Sequence, residues 1–482
     1  PVTQWSELAS AQVPPLGFKP TTVEHLLTKE AICQINQWIQ RSMIDLARMQ
    51  RLGEQAGRKY NKVLALGQDA FLPEARGIVW DLRQVNEGII VPLDFRRKID
   101  THWDLEYIWD NLKNYPDQEL VSMLLQGVQY KADLDLQIVL LPHLISFGAG
   151  CKLIQKEVVE YTKSGWYSIH DFLPFLPMRN IPRGSTPRPG DAARPRPTSD
   201  GGAPRNPVFD STGVPVVPLN VSSKGEADEH KWIPEVKPRI REIMTAIALF
   251  RYLAFHTKQQ VLIMTDDEKV CFNQFALSPE ELWKSNTLFR DEKTNKPMWA
   301  SERVMPFGIF PASGIAQRKA YAQMELVWIE FDRLEESVEL CGFLSRWKAQ
   351  REELGLSTRL AFGRQYTDDV CVVVLGTARM VRFLRAWHTV ISRFNILMAP
   401  PKKRQLGCAA TWLGAILAPA TGAVTTPMSK RLRAIEMLRL LLAERLTLGQ
   451  LAKLNGLLEH LCDVFCLTRK VIGFASMRTT YH

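Results

Sequence analysis

The segment from Thr358 to Leu375 constrains the fold more than any other part of the chain. Thr358-Arg-Leu-Ala-Phe362 and Val370-Cys-Val-Val-Val-Leu375 read as strands, with Gln365-Tyr-Thr-Asp-Asp369 as a tight turn between them. That turn carries two carboxylates. About 100 residues upstream, Gln260-Val-Leu-Ile-Met-Thr265 reads as a buried strand that runs straight into Asp266-Asp267. Taken singly these are ordinary features: an Asp-Asp in a turn is most often only a turn, and an Asp at a strand end often caps a helix. Taken together, Asp267, Asp368 and Asp369 form a trio able to hold two divalent cations roughly 4 Å apart, the arrangement that clamps attacking and leaving oxygens in phosphoryl transfer. Magnesium takes hard oxygen ligands and keeps water and phosphate in its shell, so few protein carboxylates suffice.

Charge is unevenly distributed. Between Val370 and Ile435 there is no Asp or Glu, yet the segment holds Arg379, Arg382, Arg385, Arg393, Lys402, Lys403, Arg404, Lys430, Arg431 and Arg433. These ten cations equal the formal net charge of the whole chain, +10, so the remainder sums to zero. A block of one sign in a neutral background is the footprint of a polyanion partner, with a merely solvated basic face as the plain alternative. The block is not one amphipathic helix, which argues against a membrane surface.

The chain has 482 residues, enough for about two to four domains. Its 46% apolar and 23% charged composition excludes global disorder. Eight scattered cysteines, none in a C-x-x-C pair, exclude a disulfide framework and disfavour structural zinc. Pro1 to Lys19 lacks the basic region and apolar core of a secretory leader. The uncharged stretch Gln405–Ser429 contains Pro419 and Pro427, so short strands and turns are expected there, not a spanning helix.

Residues 1–170 are expected to be mostly helical, a packing or protein-partner extension. Ile32, Ile35, Ile39, Met43, Leu46 and Met49 mark one buried helical face, and Trp103–Leu112 repeats the spacing. Residues 181–230 hold nine prolines and six glycines, the composition of a linker or of a β-rich lobe with long loops. Arg183, Arg188, Arg194, Arg196 and Arg205 make that segment a candidate basic loop near a ligand. Regular helices are expected from Ile240 to Phe250, over Gly314–Glu353 as a long stretch, and over 376–394. Two more helices close the chain, the last opening with the capping box Thr447-x-x-Gln450. Cys462 and Cys466 share a helix face, and His143 reads as a core or turn histidine; neither is expected to bind metal.

Seven segments, in order, resemble reverse transcriptases over residues 172–475, closest to retroelement enzymes of the DIRS group. Asp267-Glu-Lys-Val-Cys-Phe-Asn-Gln-Phe-Ala-Leu277 is similar to the first palm motif, Met305-Pro-Phe-Gly-Ile-Phe-Pro-Ala-Ser313 to the next, and Tyr366-Thr-Asp-Asp369 to the Tyr-x-Asp-Asp motif. Asn395–Lys403 resembles the lysine-bearing motif and Trp412-Leu-Gly414 the primer-gripping hairpin. Ile181-Pro-Arg to Asp200-Gly-Gly resembles the fingers loop, and Leu448–His460 the thumb signature. Arg183 stands where many members have Lys, Ala276 where Pro is usual, and the stretch from Gly308 to Asp368 is longer than in compact viral enzymes.

The resemblance implies an α+β right-hand polymerase: a helical extension over 1–170, fingers over 171–258, a palm with an antiparallel sheet over 259–415 that includes a helical insertion at 314–355, and a helical thumb over 416–482. It implies RNA-directed and DNA-directed DNA synthesis with an RNA template, a DNA primer, deoxynucleotides and two Mg²⁺ or Mn²⁺ ions. Asp267 and Asp368 would hold both metals, with Asp369 in support; counting ten residues back from Leu277 selects Asp267 over Asp266. Arg183 and Arg196 would clasp the triphosphate. Phe272 would exclude a 2′-hydroxyl. Phe307 and Gly308 would pack on the base pair, glycine allowing close backbone approach. Lys402 or Lys403 would protonate the leaving pyrophosphate. Trp412, Leu413 and Gly414 would support the primer end, and Arg379, Arg382, Arg385, Arg393, Arg404, Lys430, Arg431 and Arg433 would face the duplex backbone. No ribonuclease H carboxylate set is visible. An active retroelement enzyme would work in cytoplasm or nucleus. A domesticated polymerase fold serving as a nucleic-acid-binding or structural subunit is the alternative, and an RNA-templated RNA polymerase, which Phe272 disfavours, is a third.

Overall fold

The computed structural model describes residues 27–56, 77–81, 101–188, 191–210, 212–225, 232–233, 235–291, 293–443 and 445–464. The N-terminal span Pro1–Lys19 and Cys466 lie outside the described residues, as do the side chains of Arg188, Arg194 and Cys462. The chain divides into two compact units. One comprises Pro1–Trp109, Pro116–Pro234 and Phe272–Ile315; the other comprises Asp110–Tyr115, Glu235–Cys271 and Ala316–His482.

In the first unit, the apolar stripe at three- and four-residue spacing forms a helix, Lys29–Ala56, with Ile35, Ile39, Leu46 and Met49 buried. Leu46 and Met49 pack on Phe147, Cys151 and Ile154 of a second helix, Ser146–Lys163. The close approach depends on Gly148, because a Cβ there would overlap the Met49 carbonyl oxygen. The first 170 residues also contain strands: Ile78–Asp81 pairs antiparallel with Gln137–Leu140, and Tyr167–His170 pairs with Pro297–Glu302. Short apolar runs such as Gln137-Ile-Val-Leu140 suit a buried strand or a buried helix equally, so a mostly helical reading overlooks them. The Pro/Gly-rich segment is β-rich here and not a linker. Arg183–Arg188 pairs with Asp191–Ser199 as a two-stranded ribbon, followed by a short helix, Leu219–Lys224. A two-stranded ribbon has only edges, which is where proline can sit in a ladder.

The second unit is built on a four-stranded antiparallel sheet. Helix α1 (Ile240–Thr257) precedes strand β1 (Val261–Asp267). The expected long helical stretch is two helices, α2 (Ala312–Glu335, most of it in this unit) and α3 (Gly342–Glu353). Strands β2 (Ala361–Tyr366) and β3 (Asp369–Leu375) form the hairpin, and α4 (Thr377–Phe394) follows. A short strand β4 (Gln405–Gly407) completes the sheet in the order β2-β3-β1-β4. Strands β5 (Ala410–Trp412), β6 (Ala415–Ala418) and β7 (Ala423–Thr425) form a small meander, and helices α5 (Met428–Leu442) and α6 (Leu448–Val464) close the unit.

The core of this unit sits between α1 and the sheet. Ile243, Ile247, Phe250 and Leu253 pack on Val261, Ile263, Val373 and Leu375, and Trp412 and Leu417 extend the cluster. Full burial of such side chains is worth about 1.5–3 kcal/mol each. The capping box at the start of α6 forms: the Thr447 hydroxyl accepts from the Gln450 backbone N–H at 3.3 Å, and the Gln450 side-chain Oε1 accepts from the Thr447 backbone N–H at 2.9 Å. The uncharged stretch forms β4 to β7 as expected. Among the described residues no helix is long and apolar enough to cross a membrane.

Candidate metal centre

The register of the sheet assembles the carboxylates. In β1 and β3, Asp267 lies opposite Asp369, and Asp369 lies opposite Tyr366 in β2. The turn is therefore only Thr367-Asp368, tighter than the five-residue reading of the sequence. Thr367 adopts a positive φ of 52°, as two-residue hairpin turns require. Its hydroxyl lies 2.9 Å from Asp368 Oδ1. Oxygens of Asp267, Asp368 and Asp369 lie within 4.8 Å of one another, all three residues half-buried.

Strand alternation separates the two adjacent aspartates. Asp267 joins the trio. Asp266 is buried elsewhere: its Oδ2 accepts from Arg404 Nη2 at 2.6 Å and Nε at 2.9 Å, and from the Trp387 indole at 3.2 Å.

The trio is short of positive charge. Burial pushes the Asp369 carboxyl up to about 7, and Asp368 and Asp267 add to the rise while Lys403 opposes it. Burial likewise raises the Asp368 carboxyl; the Thr367 hydroxyl pulls the other way, and Asp267 and Glu268 push further up. The Lys403 ammonium lies 2.6 Å from Asp267 Oδ2, on a side chain 56% exposed. Lys402 is also exposed. Three hard oxygen donors, mutually repelling and partly desolvated, are a donor set suited to a small divalent cation, and the residues present fit that group.

Sequence reading missed the structure behind the trio. Glu268 and Lys319 form an ion pair of 2.6 Å in which each side chain is only 1% exposed. Gln365 Nε2 donates to the same Glu268 oxygen at 2.6 Å and to the Thr367 carbonyl at 2.9 Å. Gln317 accepts from the Thr367 N–H at 3.0 Å and donates to the Gln365 carbonyl at 2.9 Å. The only local signal was a third acid in the run Asp266-Asp267-Glu268; nothing in the text of α2 marks Lys319.

Several expected site residues occupy other roles. Arg183 is 4% exposed and is held by Glu302 at 2.9 Å, by Glu157, and by the hydroxyls of Ser199 and Tyr167. A guanidinium closed in by two carboxylates is not displayed to a triphosphate, which corrects its assignment as a phosphate clasp. Its ribbon neighbour Arg196 is exposed. Gly308 has a φ of 102°, and a Cβ there would overlap the Ser199 carbonyl oxygen; the close approach that needs glycine is to this strand. Phe307 is 51% exposed, with its ring 5.4 Å from that of Phe272.

Trp412 is 2% exposed, a core side chain whose indole donates to the Asp369 carbonyl at 3.1 Å. Leu413 and Gly414, both at positive φ, make the turn between β5 and β6. The basic block is also partly answered by acids from outside it. Arg379 is buried and donates to Glu335 at 2.6 Å and to the Leu375 carbonyl, Arg382 pairs with the same Glu335, and Arg404 with Asp266. Arg379 is therefore structural and not a backbone contact. Arg385, Arg393, Arg431 and Arg433 are exposed, and Lys430 is half-buried near His460.

Neither a comparison with protein-family models nor one with curated proteins finds a match to this chain. Among solved structures, the foamy viral protease-reverse transcriptase dRH in complex with ds DNA is similar at 13% identity and a TM-score of 0.36, over 63% of this chain and 39% of that one. The foamy viral protease-reverse transcriptase in complex with dsDNA gives 13% and 0.34, over 64% and 46%. The same protein in complex with RNA/DNA hybrid gives 13% and 0.35, over 64% and 30%. The chain thus spans less than half the length of each of these proteins.

Proposed function

We propose that this chain is a metal-dependent nucleotidyltransferase that extends a DNA primer on a nucleic-acid template, a reverse transcriptase of retroelement type. The observation that carries the reading is the register that sets Asp267 against Asp369 with Asp368 at the hairpin tip, their oxygens within 4.8 Å. These are the acids that the ordered motif text singles out.

On this reading Asp267, Asp368 and Asp369 would hold two divalent cations. Bound there, the metals would acidify the primer 3′-hydroxyl and neutralise the triphosphate. The remaining work belongs to the chain. The Trp412 indole fixes the Asp369 backbone from behind. Lys403, already at the trio, is the better candidate than Lys402 for delivering a proton to the leaving pyrophosphate. The exposed cations Arg385, Arg393, Arg431 and Arg433 would meet the duplex backbone. Arg196, Phe272 and Phe307 are proposed nucleotide contacts on motif text alone. The lobes named fingers, palm and thumb are part of the same proposal.

The test is primer extension on an RNA template with dNTPs and Mg²⁺ or Mn²⁺, wild type beside Asp368→Asn. Extension by the wild type and none by the variant supports the reading. Extension by neither, with tight salt-sensitive duplex binding by both, would replace it with a non-catalytic nucleic-acid-binding subunit.

A further inference from the structure

We infer that the buried ion pair Glu268–Lys319 is a positioning device for the hairpin tip that carries Asp368. The inference rests on the metal-binding reading of the trio and goes one layer deeper. It begins from a physical anomaly. Lysine and glutamate are almost never fully buried unless paired, and even a paired couple there is often no more stabilising than two apolar residues of the same size. Here both ends are 1% exposed. Stability alone does not account for charge at this position, whereas the bonding of the pair does.

The hydrogen bonds of the pair run to the turn, while the Glu268 backbone also bridges to Met398 and its side chain meets Cys271. The Glu268 N–H donates to the Asp368 carbonyl at 3.1 Å. The Glu268 side chain takes Lys319 at 2.6 Å and Gln365 at 2.6 Å on one oxygen. Gln365 carries the link to the Thr367 carbonyl, and Gln317 from the same helix as Lys319 holds the Thr367 N–H. The two-residue turn is thus gripped at the N–H of Thr367 and at the carbonyls of Thr367 and Asp368. Thr367 holds a positive φ that a β-branched residue disfavours, so the turn needs such restraint. A directional ion pair fixes a position, which an apolar pair of equal volume would not do. Glu268 is the carboxylate in this bonding, and Lys319 offsets part of its charge beside Asp267, Asp368 and Asp369.

The test uses the full chain and the variants Lys319→Met, Glu268→Gln and the paired Glu268→Met with Lys319→Met. Two readouts are taken beside thermal stability: Mn²⁺ affinity by electron paramagnetic resonance, and amide hydrogen exchange at Thr367 to Asp369 in metal-free protein. Positioning predicts that the apolar double variant regains wild-type stability but keeps faster exchange at the turn and binds Mn²⁺ at least about tenfold more weakly, the loss typical of outer-shell partners of a metal site. Recovery of stability, exchange and affinity together in the double variant would overturn the inference, since the pair would then be ordinary core. Failure of the single variants to fold leaves the double variant to decide. An Mn²⁺ affinity unchanged by Asp368→Asn in otherwise wild-type protein would overturn the metal-site reading instead, and the exchange measurement would still settle the role of the pair.

Discussion

Two clusters of charge, one in each unit, are built on opposite plans. Around Arg183 the protein closes its own account: one guanidinium, Glu302 and Glu157, two further hydroxyls, nearly all of it shut from water. Around Asp267, Asp368 and Asp369 it does not. Three half-buried carboxylates share one exposed ammonium, and burial with mutual repulsion drives Asp369 up to about 7. The first plan yields structure, because every charge has a partner that folding supplies. The second leaves three carboxylates with one ammonium, a donor set that fits a divalent cation. That contrast separates a site from a buttress among residues that all look functional in the sequence.

The contrast can be broken in several ways. The largest effect expected is that of Asp368→Asn on primer extension: a loss of about 4 kcal/mol of transition-state stabilisation, roughly a thousandfold in rate, with the fold intact by circular dichroism. A variant still extending primers within tenfold of wild type would show that the open cluster is not the catalytic one. Arg183→Met comes next, as a stability effect. Removing one member of a buried pair typically costs about 3–5 kcal/mol, read as a lower denaturant midpoint, while Mn²⁺ affinity at the trio stays unchanged. Arg196→Ala, in the same ribbon but exposed, should shift stability by less than about 0.5 kcal/mol.

A finer test uses pH. The folded Asp369 carboxyl sits near 7 against an ordinary value of 3.8, so between those values the folded chain binds a proton that the unfolded chain releases. Metal-free stability contributed by this group is therefore present below about pH 4 and is lost as pH rises to 7. Thermal melts of Asp369→Asn against wild type should diverge in favour of the variant over that window and level off above it, and Mg²⁺ should narrow the gap at pH 7.5. A constant difference across the window would place Asp369 in an ordinary environment. The smallest effect concerns the basic block. Arg385→Ala should lower the salt slope of duplex binding by about one, whereas Arg379→Ala, already committed to Glu335, should leave the slope alone and lower stability.

Much of the second unit was legible in the text. The hairpin, the strand ending in Asp267, the helix beginning at Ile240, the uncharged strands after Gln405 and the cap at Thr447 all depend on neighbours a few residues apart. Alternation and turn chemistry are local, so the sequence records them. Four things escaped. Short strands within the first 170 residues were too brief for periodicity to name, and the length of the turn depended on register. The acids Glu335 and Asp266, which answer arginines of the acid-free block, lie 35 residues or more from that block's start or across the sheet, where a running charge count does not see them. Lys319 gives no sign in its helix of meeting Glu268.

The sequence by itself determined the strand that ends in Asp267, the hairpin that brings two aspartates together, and the order of motifs that makes a polymerase the reading to test. The tertiary structure alone decided which charges are spent. Arg183 and Arg379 became buttresses, Asp266 and Asp267 parted to different partners, and Asp267, Asp368 and Asp369 came together as a cluster that fits a divalent cation. The reason is physical. Periodicity is written along the chain, whereas the worth of a charge depends on burial and on what stands opposite it, and both are set only when distant segments meet.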